Sequence, residues 1–204
     1  MRAQDRAITG LTTIGHALVH TYELSIPILM TVWMRELGAS TAELGVAVSI
    51  GYALFGLGAL PGGILTDRFG SKRLIAACLL GMGGAFVLLS LAQGLVLITG
   101  ALAVWGAAAS VYHPAGLTLI SKGTSERGRV FAYHGMAGNL GIALGPLAAT
   151  VLLLFFDWRV VCVVLAVPGL AVLPVVRRLH VQEHEPDGDP ATSEAVSQEG
   201  SRTS

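Results

Sequence analysis

Charge is scarce in this chain: only 13% of its 204 residues are Asp, Glu, Lys or Arg, while 53% are hydrophobic. A soluble domain carries about 25% charged residues, so this composition argues against a chain that covers itself against water. Net charge is also lacking, since thirteen basic and thirteen acidic residues cancel, and the basic footprint expected of a nucleic-acid partner is therefore absent. Cysteine is nearly missing. Cys78 and Cys162 both fall in apolar runs, where a thiol acts as a small hydrophobe, and two such residues make neither a disulfide framework nor a thiolate zinc site. The sequence has no zinc-type ligand cluster, no phosphate-binding glycine loop after a strand and no nucleophile elbow, so no enzyme chemistry, cofactor or metal is expected.

Long uncharged runs are what the sequence has in abundance: residues 44–66, 74–121, 130–156 and 160–176. A helix crosses a bilayer core with about 20 mostly apolar residues. The run 74–121 is long enough for two spans, with Gln93-Gly94 as the place to turn. Six transmembrane helices are therefore predicted, at about residues 7–34, 41–66, 74–92, 95–121, 130–156 and 160–176. The first run is too long for a signal-peptide core and reads as a retained helix. Six acids lie between Glu183 and Glu199, and residues 179–204 read as a disordered tail with little to bury.

Basic residues alternate by side. Arg2, Arg6, Arg68, Lys72, Arg73, Lys122, Arg127, Arg129, Arg177 and Arg178 fall on one side of the predicted spans, and only Arg35 and Arg159 on the other. The positive-inside rule then places both termini in the cytoplasm, with the plasma membrane as the host bilayer and Trp33 and Trp158 as anchors at the outer interface. The two sets of three helices have their short turn and basic loop in opposite order, a pattern that fits an inverted three-plus-three repeat.

Glu23 is the acidic residue placed deep in a predicted span, where a charged side chain costs about 2.5–3.5 kcal/mol. His16 and His20 precede it on the same helical face. Pro27 cannot donate to the carbonyl of residue 23 and leaves it open to another donor. This stripe reads either as a proton-titrating face turned towards substrate or as hydrogen bonds that hold the bundle. In the fourth span, Tyr112 and His113 precede Pro114, which frees the carbonyl of Ser110 and is expected to bend the helix. His113 can exchange protons or simply bond the freed carbonyl. In the fifth, Gly135, Gly138, Gly141, Gly145 and Pro146 form a groove for close packing with a kink, flanked by His134 and Asn139 as polar candidates.

The segment from Gly63 to Arg73, GILTDRFGSKR, concentrates four charges, Asp67, Arg68, Lys72 and Arg73, around Gly70 between two apolar runs. It resembles the loop signature between helices 2 and 3 of the major facilitator superfamily. Gly141-Ile-Ala-Leu-Gly145-Pro146 is similar to the helix 5 signature of its proton-coupled antiporters, with Ala149-Thr150 in place of the glycine pair that follows there. The segment YHPAG and the histidines of the first span look most like its fosmidomycin-resistance branch, and the likeness runs from about Ile8 to Arg178. The resemblance implies an all-α membrane fold, six helices forming one half of a major-facilitator bundle. It also implies alternating-access transport, with proton-driven efflux of a small organic solute as the expected function. Glu23, His16, His20, Tyr112, His113 and Asn139 would line the proton and substrate path, and Asp67, Arg68 and Arg73, with Gly63, Gly70 and Lys72, would form a conformational latch. The superfamily has two six-helix halves. A chain supplying one of them is expected either to pair with a second half or another copy, or to be a truncated product without transport.

Overall fold

The computed structural model describes residues 1–179 and 181, and the predicted tail lies almost wholly outside them. Eight helices make up the described chain: α1 (Ala3–Leu37), α2 (Thr41–Leu57), α3 (Ala59–Phe69), α4 (Ser71–Ser90), α5 (Leu95–Ala109), α6 (Tyr112–Gly123), α7 (Arg127–Leu153) and α8 (Trp158–Arg178). No strand occurs among the described residues. Five stretches are long and apolar enough to cross a membrane, or six when the bent pair of α2 and α3 counts as one.

Two of the apolar runs are each broken into two helices, and the reasons are local. The second run bends by 47° at Gly58, and Pro61 stands in the first turn of α3 without an N–H to give to the preceding helix. The fourth breaks at Ser110 and Val111, and Pro114 holds the same place in the first turn of α6. The breaks lie side by side: a Cβ on Gly58 would sit 2.5 Å from the Ser110 hydroxyl oxygen. Of the two breaks, only the one before Pro114 lies where the sequence pointed to a distortion of the helix. The segment from Gly63 to Arg73 also differs from the expected loop. Gly63 to Phe69 is helical, and Gly70 alone, at φ 84°, turns the chain into α4. That positive φ is why the position takes glycine.

Close approach of helices is built on glycine. Along α7 the buried stripe is Val130, His134, Ala137, Gly138, Gly141, Gly145 and Ala149, a three-and-four spacing laid against α1. A Cβ on Gly141 would come within 2.2 Å of the Ala17 carbonyl oxygen, and one on Gly145 within 2.7 Å of that of Thr21. The groove read from sequence is therefore an α1 contact, although Gly135 is not part of it, having no atom near its Cβ position. A second such contact, Gly51 on α2 against Gly106 on α5, places a hypothetical Cβ of Gly106 1.9 Å from the Gly51 carbonyl oxygen.

The two ends of the bundle are fastened differently. At the basic end, Asp5 is 1% exposed. It accepts from the Thr124 hydroxyl at 2.6 Å and from the backbone N–H and Nε of Arg2 at 3.1 and 3.2 Å. Gln4 donates to the Gly123 carbonyl and Arg2 to the Ser125 hydroxyl, so the start of α1 is tied to the turn before α7. Asp5→Ala strands the Thr124 hydroxyl and removes charge-assisted bonds, and is expected to destabilise the chain by about 2 kcal/mol. Thermal unfolding in detergent measures this.

At the opposite end, Trp33 and Trp158 are fully buried and meet edge to face at 6.0 Å. This corrects the expectation of interfacial anchors: the rings pack α1 against α8. The Trp158 indole N–H donates to Glu36 at 2.7 Å, Arg159 lies over the Trp158 ring at 4.2 Å, and Arg159 also donates to the Ala92 carbonyl at 3.2 Å.

Candidate functional site

His20 stands at the midpoint of α1, and the 35-residue helix is roughly 52 Å long, so the residues around it lie near the centre of the bundle. Pro27 withholds a donor from the Glu23 carbonyl, and the Tyr52 hydroxyl of α2 donates to that carbonyl at 3.2 Å. The opening that the sequence left at residue 23 is thus filled from a neighbouring helix.

Three hydrogen bonds run in series from there. His20 Nδ1 lies 2.7 Å from Glu23 Oε2, His20 Nε2 lies 3.0 Å from His16 Nε2, and His16 Nδ1 lies 2.7 Å from the His134 carbonyl oxygen. The side chains of His20 and Glu23 are 17% and 16% exposed, and His16 is buried. A carbonyl oxygen only accepts, so His16 carries a proton on Nδ1 and, when neutral, offers a lone pair at Nε2. With His16 neutral, His20 donates from Nε2. Its Nδ1 faces a carboxyl oxygen, and that bond needs a proton on one side or the other: either an imidazolium beside a carboxylate, or a neutral imidazole beside a carboxylic acid. The whole series is satisfied only when the three groups together hold one proton more than two neutral imidazoles and a carboxylate would. Without that proton, two lone pairs face each other somewhere along it.

Other rings enclose the series. His134 of α7 stacks on His16 with centroids 3.9 Å apart, and its Nδ1 donates to the Thr12 carbonyl at 3.2 Å. His113 of α6 meets His16 edge-on at 5.2 Å and His20 at 5.7 Å. The Tyr112 hydroxyl donates to the same Thr12 carbonyl, and Phe55 of α2 faces His113 at 6.0 Å. Four elements therefore converge here: α1, α2, α6 and α7.

The sequence-derived candidates divide accordingly. Glu23, His16, His20, His113 and Tyr112 come together. Asn139 does not: it is exposed and lines an apolar groove with Thr13, Tyr133 and Leu140 on another face of α1 and α7. One residue beyond Gly138, it is turned about 100° out of the buried stripe. His134, read from the sequence only as a polar candidate beside the glycine groove, and Tyr52, which that reading did not single out, both belong to the cluster. The chain spacing between His16 and His134, 118 residues, leaves no local signal for either.

The latch candidates lie apart, at the basic end. Asp67 pairs with Lys122 of α6 at 3.7 Å, Lys72 donates to the Leu179 carbonyl, and Arg68 sits over Phe69 at 5.4 Å. Among the described residues no ion pair involves Arg68 or Arg73. Gly63 has open space around its Cβ position.

Residues 12–201 match the family model described as Major Facilitator Superfamily. An uncharacterised MFS-type transporter of Mycobacterium tuberculosis is 38% identical over 131 residues, which cover 63% of this chain and 30% of that protein. The puromycin resistance protein of Streptomyces alboniger is 33% identical over 71% of this chain and 30% of its own length. A Na(+), Li(+), K(+)/H(+) antiporter of Planococcus maritimus is 30% identical over 72% and 35%. Among solved structures, a bacterial homologue of the human lysosomal transporter Spinster, inward-facing and occupied, superimposes with a TM-score of 0.75 at 16% identity, over 93% of this chain and 47% of that one. The chain thus spans less than half the length of these relatives.

Proposed function

Because the chain belongs to the major facilitator superfamily, we propose that it is the N-terminal six-helix half of a proton-coupled transporter that expels a small organic solute by alternating access. The observation that carries the reading is the Glu23–His20–His16 series, whose hydrogen bonds are complete with one extra proton and broken without it. Such a site has two states that differ in charge and in local packing, and a coupling ion needs that difference to bias a conformational equilibrium. An ionisable cluster kept at membrane depth is by default functional. Relatives described as an antiporter using protons and as a drug-resistance protein support the coupling and the direction.

In this reading the basic end faces the cytoplasm of a plasma-membrane protein, by the positive-inside rule. The proton gradient drives the cycle with no cofactor. The solute path forms between α1, α2, α6 and α7 and a second six-helix half or a second copy. The pair of Asp67 and Lys122 is the cytoplasmic latch. Expelled solute should appear in vesicles that contain both halves and a pH gradient, and collapse of the gradient should stop it.

A further inference from the structure

We infer that His16, His20 and His113 form a binding site for a divalent transition-metal ion of the zinc class. One ligand nitrogen from each lies within 4.8 Å of the others. His16 and His20 are four residues apart on one face of α1, a spacing that lets two imidazoles share an ion, and α6 brings the third across from the side. A tetrahedral ion with nitrogen ligands at about 2.0–2.1 Å holds those nitrogens roughly 3.3 Å apart. The 3.0 Å between the Nε2 atoms of His16 and His20 is close to that value, and His113 closes the remainder by turning its ring inward.

The surroundings match what a ligating histidine needs. Its second nitrogen is normally bonded to a carboxylate or a backbone carbonyl, which fixes the ring and leaves the other lone pair for the metal. His20 Nδ1 has the Glu23 carboxyl at 2.7 Å, and His16 Nδ1 has the His134 carbonyl at 2.7 Å. When the series lacks its extra proton and both Nδ1 atoms donate, the two Nε2 lone pairs face each other, and an ion placed between them takes the place of that proton and satisfies both. Imidazole donors suit zinc, nickel, cobalt and copper rather than magnesium or calcium. Three protein ligands leave the fourth position open to water or to a solute, as in exchangeable sites rather than closed structural ones.

The inference concerns the same cluster as the proton-coupling reading but rests on ligand geometry alone, so its test uses no gradient and no second half. The full chain is purified in detergent with His180 and His184 replaced by alanine, and titrated with Zn2+ by calorimetry and with Co2+ by visible absorption. One equivalent should bind, with the intense absorption of four-coordinate cobalt. His113→Ala and His16→Gln should each abolish that absorption, and Glu23→Gln should weaken binding by about 10- to 100-fold through the loss of a positioning partner. A weak six-coordinate cobalt spectrum indifferent to all three changes means an adventitious ion only, and overturns the site, as does the absence of binding. Retained thermal unfolding in each variant separates loss of the site from loss of the fold. A chain that binds no metal, yet loses proton-driven transport on Glu23→Gln, would refute the metal site and leave the coupling reading intact.

Discussion

Gly141→Ala is expected to destabilise the bundle strongly, while Gly135→Ala, six residues earlier on the same helix, leaves it intact or slightly more stable. The added methyl at 141 would stand 2.2 Å from a backbone oxygen of α1, a contact that no rotamer change relieves because both atoms are fixed by helix geometry. α1 and α7 must then move apart along a seam that also holds Gly138 against His16 and Gly145 against Thr21. Overpacking typically costs about 1–3 kcal/mol and more where backbone blocks the way, so a loss above ~3 kcal/mol is expected, read as a lowered Tm in detergent. At Gly135 no atom lies within 4 Å of the new methyl, and alanine gains up to about 1 kcal/mol in helix propensity. Equal effects at the two sites would show that α7 does not meet α1 through this face.

The second large effect concerns Glu23. Glu23→Gln keeps the size of the side chain and can complete the series without any extra proton: the amide donates to His20 Nδ1, His20 donates from Nε2 to His16, and His16 donates to the His134 carbonyl. The variant is thus fixed in the hydrogen-bond pattern of the proton-loaded state. Proton-driven efflux, measured in vesicles with a second half present, should vanish together with its pH dependence, while the purified chain unfolds at an unchanged temperature. Solute exchange that needs no net proton movement should persist. Unchanged proton-driven efflux would remove Glu23 from the coupling site.

The all-helical fold was legible because apolar runs of span length announce themselves by composition alone, and the α7 groove because its glycines recur on one helical face. The broken spans were half legible. Pro114 beside a histidine drew attention, whereas Gly58 and Pro61 sat among glycines in a run that looked continuous. Trp33 and Trp158 were misplaced because tryptophan near a span end usually seeks the interface, and only the packed structure shows the two rings against each other. The candidate cluster was legible on α1, where Glu23, His20 and His16 share a face. Its closure by Tyr52, His113 and His134 required contacts between helices distant in the chain, which no periodicity records. The Glu36 carboxylate under the Trp158 indole was invisible for the same reason.

The central claim is that the Glu23–His20 pair loads one shared proton. Its most direct test is infrared difference spectroscopy of the full chain in lipid, acidified stepwise and compared with Glu23→Gln. The account predicts a single proton-loading step, seen either as the carbonyl stretch of a protonated carboxyl or as an imidazolium coupled to a carboxylate, and absent from Glu23→Gln. A loading step that survives Glu23→Gln, or separate titrations of His20 and Glu23, would contradict it.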